Sequence, residues 1–249
     1  EAKRRNAAQK NDRPPVINRP AAQILLKGKT GDVAEYAAKQ VLAEYGISVT
    51  REELAQTRDA AVAAAQKIGF PVAMKVQSAD ISHKTEARAV RLAMGNEADV
   101  AAAFDEIMRN AKTYKADARI DGVLVQEMVG GGIEAIVGVT NDVLFGPAVM
   151  FGLGGIFTEV LKDVAFRLAP ITPAMAREMI EETKGYPVLA GARGKPPADV
   201  AALVDVLVKL SALAVDLKDH IAELDINPLI IMPKGQGVKA ADALIRMKG

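Results

Sequence analysis

Three oxygen-bearing side chains alternate along an otherwise apolar run near the end of the chain, ELDINPL at residues 223–229. With the two-residue period of a β-strand, Glu223, Asp225 and Asn227 share one face and the apolar residues can serve a core. Carboxylate and amide oxygens suit a hard cation such as Mg²⁺, which takes a few protein oxygens together with phosphates. Alternatively, these residues cap a turn at a strand end. Pro228 is expected to end regular ladder pairing, because its nitrogen carries no hydrogen.

A second group of ionisable side chains lies around Lys75 and His83. Lys75 interrupts the β-rich run PVAMKV at 71–76, and a lysine within a buried strand is costly unless it meets an anion. Alternatively, it extends its amine to water from a strand end. His83 and Lys84 follow in the polar loop 78–89, and cations clustered near a histidine suit phosphate binding. Since a lone histidine is more often structural or simply exposed, both interpretations stay open.

The elements that must position these residues form an α/β pattern. Apolar residues at helical spacing, with Asp32 as the cap of the first helix, predict helices at 32–45, 59–68, 97–112, 173–184 and 199–218. Runs rich in β-formers predict strands at 47–49, 71–76, 120–126, 133–139, 144–151 and 223–229, followed by a last strand that carries Asp242. The turn-forming Asn141 and Asp142 predict an antiparallel meander, so the sheet is not purely parallel.

The composition excludes several classes of protein. Over 249 residues, 32 lysines and arginines balance 31 acids, so no overall basic field favours nucleic acid. There is no cysteine for a disulfide or a thiolate metal site, and no apolar run approaches the roughly 18 residues of a membrane span. A cytoplasmic protein is expected, with either two subdomains or one large α/β unit. The polar, basic residues 1–30 are typical of a linker or tail, and less so of a nucleic-acid-binding arm.

A set of motifs in a fixed order carries a resemblance to a known family. The motifs are PVAMKV, ISHKTEARAVRL, VLVQEMV with GIEAIVG, VMFGLGGIFTEVLKDVAFRLAP, ELDINPL and AADALI. From about residue 32 to its end, the chain resembles the ATP-grasp part of the nucleoside-diphosphate-forming acyl-CoA synthetases, relatives of the succinyl-CoA synthetase β chain. Members with this pattern are similar to ADP-forming acetate–CoA ligases. The resemblance implies an ATP-grasp fold of the α/β (α+β) class, in which two α+β subdomains, at 31–125 and 126–249, clasp a nucleotide.

The resemblance also implies where ATP or ADP would bind. Lys75 would contact the nucleotide phosphates, and Glu134 would face the ribose. The hinge that would hold the adenine edge consists of Gln126, Glu127, Met128 and Val129.

The same resemblance implies a metal site and a phosphoryl carrier. Asn227 and Asp242 match the Mg²⁺ ligands of the family, and Asp225 is a further candidate. His83 matches a histidine that relays a phosphoryl group in members using two phosphohistidines, and Lys84 would help to screen the phosphate charge.

The loop that carries His83 departs from the family pattern. Where the family usually has one or two glycines after the acidic residue of the loop, this chain has Arg88 and Ala89. Glycine allows the backbone to approach a phosphate closely. Arg88 therefore narrows the loop, adds a phosphate contact or signals lost turnover. The last possibility makes a non-catalytic nucleotide-binding regulatory module the alternative function.

The chain lacks parts that the complete reaction needs. Nothing in it resembles a CoA-binding Rossmann unit or the domain that carries the first phosphohistidine. The chain is therefore expected to be the nucleotide half of a larger synthetase, oligomeric in its full-length form. A CoA-binding ligase domain or chain would complete it, by fusion or as a separate subunit. His220, the other histidine, follows a long helix and is expected to cap its C-terminus.

Overall fold

The computed structural model describes residues 17–249 except 82, 156, 157, 159, 160 and 195, so residues 1–16 of the predicted tail lie outside the described part. The helices are α1 (Arg19–Leu26), α2 (Glu35–Glu44), α3 (Arg58–Ile68), α4 (Glu97–Tyr114), α5 (Pro173–Glu181), α6 (Tyr186–Leu189) and α7 (Val200–Asp216). The strands are β1 (Asp32–Val33), β2 (Glu52–Ala55), β3 (Val72–Gln77), β4 (Val90–Met94), β5 (Gly122–Glu127), β6 (Ile133–Asp142), β7 (Gly146–Leu153), β8 (Val164–Leu168), β9 (Ile221–Ile231), β10 (Val238–Ala240) and β11 (Ala243–Met247). None of the helices so described is long and apolar enough to cross a membrane.

The described strands form two sheets whose ladders are all antiparallel. The large sheet has the order β1-β11-β9-β6-β7-β8, and β10 also pairs with β9. The small sheet has the order β2-β5-β3-β4. The predicted meander is confirmed, because β6 and β7 pair from Ala135 opposite Leu153 to Asp142 opposite Gly146. The turn itself lies at 143–145, just after the residues expected to form it.

Local sequence signals account for several helix ends. Thr57 and Asn96 each accept a hydrogen bond from the N–H three residues further on, at the starts of α3 and α4. These bonds satisfy donors that the first turn of a helix leaves without a partner. Gly69 ends α3 with a φ of 96°, a conformation that glycine adopts without strain. Asp199 caps α7 in the same way as the other two N-caps, as predicted.

Part of the predicted tail is folded. Residues 19–26 form α1, and Ala22 and Leu26 on this helix are buried in the core of the large sheet. The interpretation of residues 1–30 as a linker is therefore wrong for this segment. The short apolar stripe suffices because α1 packs against α2.

The start of α2 also differs from the prediction. Asp32 does not cap this helix, since it lies in β1 opposite Arg246, and α2 begins at Glu35. The tertiary pairing with β11 overrides the capping preference of the aspartate. Instead of a strand at 47–49 there is a single bridge between Val49 and Ala240. The strands β2 and β8 were not predicted.

Two apolar cores accompany the two sheets. The core of the small sheet takes its buried residues from positions 55–125. The core of the large sheet takes them from positions 22–47 and 135–245. The N-terminal helices thus belong with the C-terminal part of the chain, because α2 packs against β11. This division differs from the predicted subdomain boundary at residue 31.

Strand β9 runs past Pro228 to Ile231, so the proline does not end it as predicted. The proline is accommodated because the neighbouring segment is itself interrupted opposite it, at residues 241–242 between β10 and β11. The N–H of Asn227 donates to the carbonyl of Asp242 at 3.2 Å, and the N–H of Ala241 donates to the carbonyl of Pro228 at 3.0 Å. Asp242 therefore lies in a link between two strands, which corrects its predicted place within the last strand.

Candidate functional site

The side chains of Lys75, Lys84 and Asp242 meet around the carboxylate of Glu35. Lys75 Nζ donates to Glu35 Oε1 at 2.8 Å and lies 3.3 Å from Asp242 Oδ2. Lys84 Nζ donates to Glu35 Oε2 at 2.7 Å and lies 3.5 Å from Asp242 Oδ2. The Glu35 side chain is fully buried, whereas the two lysines and Asp242 keep 12%, 17% and 29% of their side chains exposed. The structure thus joins three of the predicted site residues at one charged centre.

The charges of this centre stabilise the ionised forms of Glu35 and Lys75. Lys39 adds a third cation, which donates to Glu35 Oε1 at 2.9 Å and also pairs with Glu52. Burial alone would raise the pKa of Glu35, but the charges of Lys75, Lys84 and Lys39 hold it well below its ordinary value. Burial would likewise lower the pKa of Lys75, but the neighbouring carboxylates raise it. Lys75 therefore carries its positive charge at neutral pH, as phosphate binding requires.

Separate segments of the chain supply this centre. Glu35 lies on α2, which packs with the large sheet, whereas Lys75 lies on β3 of the small sheet. Asp242 comes from the link between β10 and β11 of the large sheet. The centre therefore forms where the two sheets meet, and neither sheet contains it alone.

The loop after β3 brings Lys84 and His83 to the same place. Its backbone closes a compact turn, in which the N–H groups of Ala87 and Ala89 donate to the carbonyls of His83 and Lys84 at 3.1 and 2.9 Å. The His83 side chain is 71% exposed, and its Nδ1 lies 3.8 Å from Glu86 Oε1. Next to it is an open cavity of about 310 Å³, lined by Lys75, His83, Lys84, Thr85, Glu86, Val90 and Asp242. An imidazole and two ammonium groups thus face one space.

A second cavity, of about 180 Å³, is lined by Asp225, Asn227 and Asp242 together with Glu35 and Lys84. Burial and then the charge of Asp242 raise the pKa of Asp225 to about 6. Burial and then the charge of Glu35 raise the pKa of Asp242, against the effect of the lysines. Carboxylates that repel each other favour a divalent cation between them. No described group of three or more histidine, aspartate or glutamate side chains is spaced to hold a metal ion, so a cation would also need the Asn227 amide and ligand oxygens.

Gln126 and Glu127, at the end of β5, are buried and tied to the large sheet. Gln126 Nε2 donates to the carbonyl of Ala241 at 2.8 Å, whereas its Oε1 is buried without a partner among the described residues. Glu127 accepts hydrogen bonds from the N–H and Nε of Arg51, both at 2.9 Å, and pairs with Lys239. Burial alone would raise the pKa of Glu127, but these hydrogen bonds lower it. Gln126 thus keeps an acceptor without a described partner, whereas the Glu127 carboxylate is already paired.

The other residues of the predicted nucleotide site are Met128, Val129 and Glu134. Met128 is 40% exposed and Val129 is half-buried, both in the segment between β5 and β6. Glu134 is exposed on β6, opposite Ile230 of β9. The described linings of the two cavities contain none of these three residues.

Arg88 lies in the left-handed region of backbone conformation, with a φ of 50°. A side chain makes this conformation unfavourable, whereas glycine adopts it freely, which explains why glycine suits this position. The Arg88 side chain is exposed, and its carbonyl accepts from Asn110 Nδ2 at 2.9 Å. The described lining of the 310 Å³ cavity does not include Arg88. This geometry indicates that the His83 loop tolerates arginine in place of glycine and is not narrowed by the Arg88 side chain.

Sequence reasoning missed Glu35 and Lys39. A glutamate four residues before a lysine on a helix usually indicates an exposed ion pair. The overlooked signal is their spacing from Leu42, because positions 35, 39 and 42 lie on one stripe of a helix. All three are buried in the structure.

A comparison with protein families agrees with this geometry. Residues 25–247 match the family described as the ATP-grasp domain. The fold and the site thus define an ATP-grasp protein. The chain is 51% identical over 227 residues to the β subunit of the ADP-forming acetate–CoA ligase II of Pyrococcus furiosus. This alignment covers 91% of this chain and 96% of that subunit. It therefore belongs to the family of ADP-forming acetate–CoA ligase β subunits, as the ordered motifs predicted.

Solved structures are similar over almost the whole chain. One of them is the dinucleotide-forming acetyl-coenzyme A synthetase 1 of Ca. Korarchaeum cryptofilum in complex with coenzyme A, Ca-AMPCP and HgCl+. It is 39% identical to this chain with a TM-score of 0.87, and the superposition covers 92% of this chain and 99% of the synthetase chain. Another structure of that synthetase, with coenzyme A and Mg-AMPPCP, has its phosphohistidine segment pointing towards the nucleotide binding site. It is 37% identical with a TM-score of 0.79 and covers 93% of this chain and 100% of that chain. The predicted ATP-grasp fold is confirmed.

Proposed function

We propose that this chain binds ATP or ADP with Mg²⁺ and performs the phosphoryl-transfer half of an ADP-forming acyl-CoA synthetase reaction. In the complete reaction, a carboxylic acid, CoA and ATP give acyl-CoA, ADP and phosphate. The observation that carries the proposal is the convergence of Lys75, Lys84 and Asp242 beside the open cavity that His83 lines. Phosphoryl transfer needs mainly positioning and neutralisation of charge, and these side chains provide both.

We assign the adenine edge to the segment from Gln126 to Val129 and the ribose to Glu134. The buried Oε1 of Gln126, which lacks a partner among the described residues, supports this assignment, because a ligand donor would satisfy it. The phosphates would then extend towards Lys75 and Lys84. These lysines are partly exposed and held in fixed positions by Glu35.

We assign the metal site to Asn227 and Asp242, with Asp225 as a further ligand. The three side chains line one cavity, where burial and then the charge of Asp242 raise the pKa of Asp225, and burial and then the charge of Glu35 raise the pKa of Asp242. When bound, Mg²⁺ supplies positive charge against the phosphate oxygens. Asp242 also contacts Lys75, so it keeps the phosphate-binding lysine next to the metal site.

We assign the phosphoryl carrier to His83. In the direction of ATP formation, an unprotonated nitrogen of His83 attacks the phosphorus of a phosphohistidine on the partner, so that one P–N bond forms as the other breaks. A terminal oxygen of ADP then attacks this phosphorus. The P–N bond of His83 breaks, the P–O bond of ATP forms, and His83 returns to neutral imidazole. The high exposure of His83 beside the cavity supports this role, because the carrier must reach both the partner and the nucleotide.

The acid and CoA would bind to a partner chain or fused domain. The similar Pyrococcus furiosus protein is named a β subunit, which supports a separate partner subunit and an oligomeric enzyme. The regulatory alternative is the less favoured function, since the Arg88 side chain is exposed and does not belong to the described cavity lining.

Calorimetry and a ligase assay test the proposal together. We expect this chain alone to bind ADP and ATP in the presence of Mg²⁺ and to form no acyl-CoA from acetate, CoA and ATP. Addition of the partner subunit should restore ligation. The proposal fails if no nucleotide gives a binding signal, or if the chain alone turns over as a ligase.

A further inference from the structure

We infer that Glu35 is a positioning residue that holds Lys75 and, through Lys84, the loop that carries His83. The inference rests on the proposed function, because it concerns how the phosphate end of that site is kept in shape. No side chain on this helix was expected to take part in the site. Glu35 itself is fully buried and would not touch the nucleotide.

Lys75 and Lys84 contact different oxygens of the Glu35 carboxylate, and Lys39 shares Oε1 with Lys75. Oε1 of Glu35 accepts from Lys75 at 2.8 Å, and Oε2 accepts from Lys84 at 2.7 Å. The other contact of Lys84 with a described carboxylate is longer, 3.5 Å to Asp242. Charge-assisted hydrogen bonds at the shorter distances are strong and directional. Glu35 is therefore the main anchor of Lys84.

The anchor acts across the two parts of the fold. Glu35 lies on α2 in the large-sheet core, whereas Lys84 lies in the loop that joins β3 and β4 of the small sheet. Within that loop, the carbonyls of His83 and Lys84 accept hydrogen bonds from Ala87 and Ala89. A fixed Lys84 side chain therefore holds a turn that contains His83. Without it, the described loop would keep its backbone hydrogen bonds and the hydrogen bond from Asn110 Nδ2 to the Arg88 carbonyl, but it would lose its tie to α2.

Glu52 offers a matched control for a buried carboxylate in the same region. It pairs with Lys39 and accepts from Thr50 Oγ1 at 3.0 Å, and no hydrogen bond or ion pair to Lys75 or Lys84 is present among its described contacts. Its side chain is 7% exposed. Glu52→Gln therefore removes one carboxylate partner of the buried Lys39, as Glu35→Gln does. It leaves the contact between Glu35 and Lys84 in place.

Amide hydrogen exchange of the full-length chain, without nucleotide, tests the anchor directly. We expect Glu35→Gln to speed exchange at Ala87 and Ala89 by about tenfold or more, the equivalent of one lost charge-assisted hydrogen bond. Lys84→Met should have the same effect, and the double variant should add little to either. Glu52→Gln should leave these two amides unchanged. If Glu35→Gln does not fold, Lys84→Met and the shortened Glu35→Asp carry the same test.

Calorimetry with ADP and Mg²⁺ then connects the anchor to the site. Positioning predicts that Glu35→Gln weakens binding by about tenfold, because freed lysines no longer meet the phosphates in a fixed geometry. If Glu35 merely competed with phosphates for the lysines, the variant would bind more tightly. Tighter or unchanged binding, unchanged loop exchange, or loop amides already unprotected in the wild type would each overturn the inference. Absence of ADP binding by the wild type would instead count against the proposed function, and the exchange result would stand.

Discussion

Lys75 Nζ lies 3.3 Å from Asp242 Oδ2, although the two residues are 167 positions apart and belong to different sheets. Lys75 comes from the middle of β3, and Asp242 comes from the link that lies opposite Pro228. The contact places the lysine proposed for the phosphates beside the carboxylate proposed for the metal. Phosphoryl transfer requires such proximity, since cation and metal must act on the same phosphate group.

Asn227 and Asp242 are predicted to act through the metal. Asn227→Ala and Asp242→Ala should weaken binding of ADP in the presence of Mg²⁺ by about tenfold or more, because even indirect disturbance of metal ligands costs this much. Binding of ADP in EDTA should change much less. Calorimetry under both conditions makes the comparison.

Glu223→Ala is the control for this pair. Glu223 lies on the same strand as Asn227 but is exposed and pairs with Arg246 at the surface, so its loss should affect neither measurement. Equal losses with Mg²⁺ and with EDTA in the two site variants would show that their role is structural.

His83 is predicted to carry the phosphoryl group and His220 is not. In the enzyme reconstituted with its partner subunit, acid-labile ³²P on this chain should disappear in His83→Ala and persist in His220→Ala. His220 lies in the turn after α7, where its N–H donates to the carbonyl of Leu217 and its carbonyl accepts from Lys248. Persistent label and normal turnover in His83→Ala would leave direct transfer from the partner to ADP.

Arg88→Gly is predicted to stabilise the chain. A left-handed residue with a side chain costs about 1–2 kcal/mol relative to glycine, and the greater freedom of glycine in the unfolded chain returns about 0.4–1 kcal/mol of this. A gain of about 0.5–1 kcal/mol is therefore expected in urea unfolding. ADP binding should stay the same, because the Arg88 side chain lies outside the described cavity lining. Loss of binding in the variant would instead assign this side chain a phosphate contact.

Glu127 is predicted to stabilise the fold at neutral pH and less in acid. Its pKa in the folded chain is lowered, so its contribution is present above the unfolded pKa and is lost as the pH falls through the folded value. Glu127→Gln should cost about 1–2 kcal/mol at pH 7, since one partner, Arg51, is largely exposed. The difference from the wild type should shrink as the pH falls below about 4.5.

Thermal unfolding from pH 7 to pH 3 measures this dependence. Glu182→Gln removes a carboxylate whose side chain is 43% exposed, against 10% for Glu127, and should therefore have a smaller effect at pH 7. A pH-independent difference between Glu127→Gln and the wild type would show that the charge of Glu127 does not matter.

The sequence by itself determined the features that depend on neighbouring residues. Helix α3 begins after Thr57 and ends at Gly69, and Asp199 caps α7, because caps need only hydrogen bonds within a few residues. The hairpin of β6 and β7 follows from a turn between two β-rich runs. The ordered motifs also identified the family and singled out Lys75, Lys84 and Asp242, because each motif contains its own ionisable residue and can be identified without the others.

Only the tertiary structure decided how these residues combine. A glutamate and a lysine four residues apart on a helix have the same sequence pattern whether they face water or a core. The packing of α2 on the large sheet is what buries Glu35 and Lys39. Asp32 could have capped that helix, but its pairing with β11 placed it in a strand. Asp242 lies in a break between two strands, and this break lies opposite Pro228 on a third strand. Burial and strand pairing depend on partners distant in sequence, and these partners are specified only when the chain is folded.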